Sequence, residues 1–357
     1  MKILFTGGGT AGHVMPNLAL MTPLAADGHE LHYAGTAEGV ERKLVAEFFP
    51  EVPYHVISAG KLRRNLSLRT LTDPWKSIAG VRQAKKLCRD TAFDCVFSKG
   101  GFVALPVILG AHRAGRATVL HESDMTPGLA NKLCLRSAKI ICTSFPQTAQ
   151  ALGGQAKFTG TPLRQELFEG LASRGKSLCG FSGNKPILLV TGGSQGARAV
   201  NECLRAALPM LLPNWDICHL CGKGNLAAEL QGRQGYAQFE FVTRELPDLL
   251  AMADAVLSRA GSNTLCELLA LHKPHLLIPL PKAASRGDQI DNAHACAAQG
   301  TSALLLQEDM TPETLARGID SVHAKRGEYI TAMQQAGFGQ GREKVLAVIQ
   351  SVMEGAL

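Results

Sequence analysis

The chain opens with MKILFTGGGTAGHVMP, residues 1–16, in which Gly7-Gly8-Gly9-Thr10-Ala11-Gly12 spells G-x-G-x-x-G. The apolar residues Ile3, Leu4 and Phe5 run straight into the glycines, so they read as a strand and not as a signal peptide. A strand, a glycine turn and a helix in succession begin a Rossmann-type unit. The turn exposes N–H groups, and the helix start adds its positive dipole end, which suits a phosphate. The helix is predicted over residues 15–27, closed by Gly28.

The same alternation continues outward from this stretch. Strands are predicted at 31–34, 95–97, 117–121, 139–143 and 157–160, with Lys99-Gly100-Gly101-Phe102 leading into an apolar helix at 104–114. The pattern then restarts. Pro186-Ile187-Leu188-Leu189-Val190-Thr191 is a buried strand, and Gly192-Gly193-Ser194-Gln195-Gly196-Ala197-Arg198 opens the next helix. Further strands are predicted near 217–220, 240–242, 255–258 and 275–279. Such βα alternation means a parallel, doubly wound sheet. Two copies of it mean two similar α/β halves, 1–160 and 161–340, joined near Gly160-Thr161-Pro162-Leu163-Arg164.

Composition bounds the function. The 357 residues, 46% hydrophobic and 19% charged, can fill two cores. A net charge of +7 fits an acidic partner such as a nucleotide, a phospholipid surface or nucleic acid, and fits equally a charge spread over the surface. No apolar run approaches the roughly 20 residues that span a bilayer. Of ten cysteines only Cys218 and Cys221 have C-x-x-C spacing, and no second pair completes a zinc site. They read as part of an ordinary strand.

The glycine fingerprint alone would suggest NAD. That reading needs an acid at the end of the second strand to hold the ribose. Here that strand ends His32-Tyr33-Ala34-Gly35-Thr36, with no acid before Glu38. A turn followed at once by His13 is also suited to placing an imidazole opposite a phosphate-bearing ligand, and a capping or packing role for His13 remains open on these residues alone.

Six stretches in one order cover nearly the whole chain: GGGTAGHVMP, SKGGFVALPV, HESDMTPGLANK, GTPLR, TGGSQGARAVN and SRAGSNTLCELLALHKPHLLIPLP. Together they resemble the MurG family of bacterial peptidoglycan glycosyltransferases. The resemblance implies a GT-B fold, with two Rossmann-like doubly wound domains facing across a cleft and a last helix, within 341–357, that packs back on the first domain. It also implies inverting transfer of GlcNAc from UDP-GlcNAc to the muramoyl 4-hydroxyl of the lipid-linked acceptor, lipid I, giving lipid II.

The resemblance assigns donor contacts to the second half. Ser194, Gln195 and Gly196 match the turn that receives the UDP diphosphate, and Arg164 matches a position near the nucleotide. Glu267 matches the carboxylate that holds the ribose hydroxyls, a task suited to a group that accepts two hydrogen bonds. Gln289 and Asn292 match side chains that read the sugar, although Asp288 stands where relatives often carry Gln. Thr10, Gly12 and Asp124 are expected near the donor from the first half. Gly9, Gly12, Gly100 and Gly101 are expected to cradle the acceptor diphosphate. His13 is the leading general base, since an imidazole with a reference pKa near 6.5 is largely neutral at cytosolic pH. Glu122 is its rival, and His121 reads as a donor-side or structural residue. Where some relatives read HEQN, this chain has His121-Glu122-Ser123-Asp124.

No D-x-D motif is present, so neither a metal nor another cofactor is expected. Between residues 61 and 78, the basic Lys61, Arg63, Arg64, Arg69 and Lys76 alternate with Leu62, Leu66, Leu68, Leu71, Trp75 and Ile78. That composition suits an anionic membrane surface and places the protein peripherally on the cytoplasmic face of the membrane. No nucleic-acid partner is expected. The other readings are a UDP-sugar epimerase, a diacylglycerol glucosyltransferase, an NAD-linked oxidoreductase and a non-catalytic binding protein.

Overall fold

The computed structural model describes residues 1–60, 68–193, 196–284 and 287–356, the side chains of 68–74 apart. It comprises two compact units, Met1–Arg164 with Gln340–Leu357, and Gln165–Gly339.

The first unit runs β1 (Lys2–Thr6), α1 (Ala11–Ala26), β2 (Glu30–Gly35), α2 (Val40–Phe48), β3 (Tyr54–Val56), α3 (Leu68–Thr91), β4 (Cys95–Ser98), α4 (Ala104–Arg113), β5 (Ala117–Glu122), α5 (Leu129–Cys134), β6 (Ile140–Thr143), α6 (Pro146–Leu152) and β7 (Ala156–Phe158). Among the described residues the strands form one parallel sheet in the order β3-β2-β1-β4-β5-β6-β7. Alternation along β1 splits the core. Ile3 and Phe5 join a cluster with Val14, Leu18 and Met21 of α1, and Leu4 joins one with Val107 and Ile108 of α4. Residues buried on both faces explain why these strands are continuously apolar.

The second unit runs α7 (Ala172–Cys179), β8 (Ile187–Thr191), α8 (Arg198–Leu211), β9 (Asp216–Leu220), β10 (Tyr236–Phe239), α9 (Leu246–Met252), β11 (Ala255–Ser258), α10 (Ser262–Ala270), β12 (His275–Leu277), α11 (Asp288–Ala298), β13 (Ala303–Leu304), α12 (Pro312–Ala324) and α13 (Arg326–Ala336). Its parallel sheet has the order β10-β9-β8-β11-β12-β13. The last helix, α14 (Gly341–Met353), belongs to the first unit. Val345, Val348, Ile349 and Val352 recur at helical spacing and join the core cluster of β1 and α1. At its start there is room only for glycine, because a Cβ on Gly341 would overlap the Thr161 carbonyl.

The start of α1 and the position of β10 differ from the sequence reading. Helix α1 begins at Ala11 and not near Met15, so Pro16 lies inside it. Thr10 is the last extended residue, at φ −145° and ψ 155°, and the helix follows at once although Pro16 has no N–H for the carbonyl of Gly12. The strand expected at 240–242 lies earlier, at Tyr236–Phe239, where it pairs with β9 from Ile217 to Leu220. The short strands β3 and β13 were not foreseen. Both lie at sheet edges, where three and two residues carry little periodic signal.

Candidate functional site

In each sheet the strand order reverses between the first strand and its neighbour, β1 and β4 in one unit, β8 and β11 in the other. Ligands of doubly wound sheets bind outside the carboxyl ends of the strands at that reversal.

In the second unit a cavity of about 530 Å³ occupies this place. Gly193, Gly196 and Arg198 line it from the β8–α8 turn, Ser258 and Arg259 from the end of β11, and Gln289 from α11. The free N–H groups and dipole at the start of α8 favour an anion here. Gly196 is required on two counts. Its φ is +74°, and a Cβ would overlap the Cys221 carbonyl. Arg259 braces the opposite wall. Its guanidinium donates to the carbonyls of Ile278 (3.1 Å) and Pro279 (3.2 Å) and to Oε1 of Gln307 (2.7 Å). Burial pulls its pKa below the ordinary value.

The expected donor residues divide. Gln289 lines the cavity, with its Oε1 accepting the Leu280 N–H at 3.0 Å. Glu267 sits half-buried on α10, outside the lining. Asn292 is fully buried on α11, the helix of Gln289, and its Nδ2 donates to the Ala260 carbonyl at 3.3 Å, which ties it to the turn before α10. Ser194 and Gln195 lie outside the described residues. Arg164, half-buried, closes the first unit.

In the first unit the β1–α1 and β4–α4 turns abut, since a Cβ on Gly101 would overlap the Gly8 carbonyl and sit 3.3 Å from Nδ1 of His13. Thr10 is exposed and His13 half-buried on the first turn of α1, with the Thr10 hydroxyl 3.1 Å from His13 Nδ1. Gly12 lies in the same turn. Two of the amides expected to cradle a phosphate are spent internally. The Gly9 N–H donates to Oε2 of Glu41 at 3.1 Å, and the Gly100 N–H donates to Oγ of Ser98 at 3.1 Å. Positive potential comes instead from Lys99, buried beneath this turn with its ammonium against the Ser123 hydroxyl.

Glu122, at the end of β5, is buried, and its carboxylate is saturated. Oε1 accepts the N–H groups of Ser123 (2.8 Å) and Asp124 (3.0 Å), and Oε2 accepts those of Gly128 (3.1 Å) and Asn131 Nδ2 (2.8 Å). Burial raises its pKa, partly offset by these donors. The group therefore shapes the 123–128 turn, with Asp124 half-buried on it, and a proton taken by Glu122 would break bonds that hold that turn. His121 is also fully buried. Nε2–H donates to the Gly160 carbonyl at 2.8 Å, and burial, reinforced by the Lys99 charge, holds its pKa well below 6.5. It is a neutral structural imidazole. The chemistry-bearing residue that the sequence reading missed is Glu41, which looks like a solvated helix residue in GVERK yet is fully buried. The signal for it was the run of glycines, Gly8, Gly35 and Gly39, that make room for its side chain.

Comparison with known proteins agrees with this architecture. Residues 3–143 match the glycosyltransferase family 28 N-terminal domain, and residues 187–349 match the family 28 C-terminal domain. The chain is 48% identical over 352 residues to the UDP-N-acetylglucosamine–N-acetylmuramyl-(pentapeptide) pyrophosphoryl-undecaprenol N-acetylglucosamine transferase of Lachnoclostridium phytofermentans, covering 98% of this chain and 99% of that one. It is 48% identical over 351 residues to the enzyme of the same name from Geobacillus thermodenitrificans, covering 98% of each. Among solved structures it is similar to Acinetobacter baumannii MurG, with a TM-score of 0.79 and 26% identity over 98% of this chain and 99% of that one. The chain belongs to glycosyltransferase family 28, and within it to the MurG family of GT-B N-acetylglucosaminyltransferases.

Proposed function

We propose that the chain transfers GlcNAc from UDP-GlcNAc to the muramoyl 4-hydroxyl of undecaprenyl-pyrophosphoryl-MurNAc-pentapeptide (lipid I), with inversion, giving lipid II in peptidoglycan synthesis. The observation that carries this reading is 48% identity along 98% of the chain to enzymes bearing that activity in their names.

In this reading 161–340 is the donor domain and 1–160, with 341–357, the acceptor domain. The UDP diphosphate takes the α8 end of the cavity, at Gly196 with Ser194 and Gln195. Glu267 accepts the ribose hydroxyls, Gln289 and Asn292 read the sugar, and Arg164, Thr10, Gly12 and Asp124 complete the donor contacts. The acceptor diphosphate lies against Gly12 and Gly101, over the buried charge of Lys99. His13 takes the proton of the 4-hydroxyl as its oxygen bonds to C1. The C1–oxygen bond to UDP breaks on the opposite face, and its electron pair leaves with the diphosphate. The α8 N-terminus stabilises that growing charge.

The acceptor lies in a bilayer, and no helix among the described residues is long and apolar enough to cross one. The enzyme acts as a peripheral protein at the cytoplasmic face. Trp75 is 73% exposed on α3 beside exposed Lys76, and Leu129 and Leu133 are exposed on α5 beside Lys132 and Arg136. Both helices pack on α4, so apolar and basic groups lie on neighbouring elements, a composition suited to anionic lipid. Residues 61–67 of the expected membrane segment lie outside the described residues.

The test is incubation with UDP-[14C]GlcNAc and a lipid I analogue. Label in the lipid with an equal yield of UDP is the expected result. UDP-GlcNAc binding with an epimerised sugar, or with no labelled lipid, would overturn the assignment of the acceptor.

A further inference from the structure

Glu41 leaves the first turn of α2 and enters a chamber formed by three glycines. A Cβ on Gly8 would lie 2.5 Å from its Cδ, a Cβ on Gly35 would lie 2.7 Å from its Cγ, and a Cβ on Gly39 would overlap its oxygens. None of the three has positive φ. Space, and not backbone geometry, is what requires glycine there. Inside the chamber Oε1 accepts the Thr36 N–H at 3.0 Å and its hydroxyl at 2.6 Å, while Oε2 accepts the Gly9 N–H at 3.1 Å. One carboxylate thus ties the β2–α2 turn to the β1–α1 turn. Gly9 is followed directly by Thr10, whose hydroxyl meets His13.

We propose that Glu41 is a positioning residue for His13, fixing through the Gly9 amide the turn from which the imidazole is presented to the acceptor hydroxyl. The proposal rests on His13 being the base. Glu41 does not touch substrate. Its three neighbours are all donors, so both of its oxygens must accept. A glutamine of the same shape would aim N–H groups at one of those donors and break one arm of the tie. Placement errors of this kind act on turnover more than on donor binding, because most of the proposed donor contacts lie in the second unit and only Thr10 and Gly12 come from this turn, whereas general-base catalysis depends on the exact placement of His13.

A double-mutant cycle separates this from a purely structural role. Turnover with the lipid I analogue and UDP-GlcNAc affinity by calorimetry are measured for the wild type, Glu41→Gln, His13→Ala and the double variant. Glu41→Gln is expected to lower kcat about tenfold with donor affinity within about twofold, and to lower it less than about twofold further when His13 is already Ala. Equal fractional losses in both backgrounds, or unchanged kcat in Glu41→Gln, would overturn the proposal. A His13→Ala enzyme with wild-type turnover is a different result. It removes the base assignment, and the positioning role falls with it. If Glu41→Gln does not fold, Thr36→Val, which removes only the 2.6 Å contact, takes its place in the same cycle under the same criteria, with an expected loss of about threefold.

Discussion

The hydroxyl of Thr10 lies 3.1 Å from Nδ1 of His13 across the first turn of α1. A base that takes a proton at Nε2 must carry its other proton on Nδ1, and the Thr10 oxygen can accept it. When the hydroxyl accepts from Nδ1–H, Nε2 is left free to take a proton, the tautomer that the proposed base role needs. Replacing His13 with Ala is expected to cut kcat about 10²- to 10⁴-fold, the range for a lost general base. Thr10→Val, which keeps shape but removes the acceptor, should cost about tenfold, and Thr10→Ser should restore turnover. Steady-state kinetics with saturating UDP-GlcNAc read all three. Equal activity of the Val and Ser variants would remove the orienting role.

Glu122 stands against this as the other acid or base of the sequence reading. Its four donors leave it shaping a turn, so Glu122→Gln should act on stability first. Turning an amide NH₂ toward backbone N–H groups in a buried site costs about 2–3 kcal/mol, seen as a lowered melting temperature and faster hydrogen exchange at Ser123 and Asp124. Turnover of the folded fraction should stay within about tenfold of wild type. A loss of about 10³-fold with an unchanged melting temperature would return the base role to Glu122.

Two glycines of the donor cavity differ in what surrounds them. Gly193, at φ +82°, faces open space, whereas a Cβ on Gly196, at φ +74°, overlaps the Cys221 carbonyl. Gly193→Ala should cost about 1 kcal/mol of backbone strain, with UDP affinity reduced by less than about tenfold. Gly196→Ala must displace the turn at the start of α8 and should weaken UDP binding by about a hundredfold. Titration calorimetry with UDP checks both, and equal affinities in the two variants would contradict a diphosphate seated at Gly196.

Much of this architecture is written in local patterns. Apolar runs such as Ile187 to Val190, each followed by a glycine turn, place the central strands of both sheets. The two turns fall where the strand order reverses. What local pattern could not carry is who spends which hydrogen bond. The amides of Gly9 and Gly100 look like phosphate donors in sequence, but their partners, Glu41 and Ser98, come from α2 and from the end of β4. Asn292 shares a helix with Gln289, and only tertiary packing turns one onto the Ala260 carbonyl and leaves the other lining the cavity. Glu41 has the sequence context of a surface residue. Its burial becomes readable only once Gly8, remote in the chain, is seen to join the nearby Gly35 and Gly39 around one point.

The second unit carries a built-in acid sensitivity. His275 is fully buried, with Nδ1 2.6 Å from the Lys273 carbonyl and Nε2 2.5 Å from the Ser302 hydroxyl, and burial lowers its pKa to about 4. His219, bonded to Tyr236 and Asn201, is lowered to about 3, again chiefly by burial. The unfolded chain takes up these protons near pH 6.5, and the folded chain resists until the lowered values are reached. Their contribution is therefore complete above pH 6.5 and is lost as pH falls toward 4 and then 3. For His275 the gap corresponds to about 3 kcal/mol. Urea unfolding at pH 7.5, 6.0 and 5.0 should show stability declining through this window. His275→Gln, in which an amide oxygen can still accept from Ser302, should be less stable at pH 7.5 and decline less steeply. Parallel declines in the two proteins would mean that His275 does not carry the acid sensitivity.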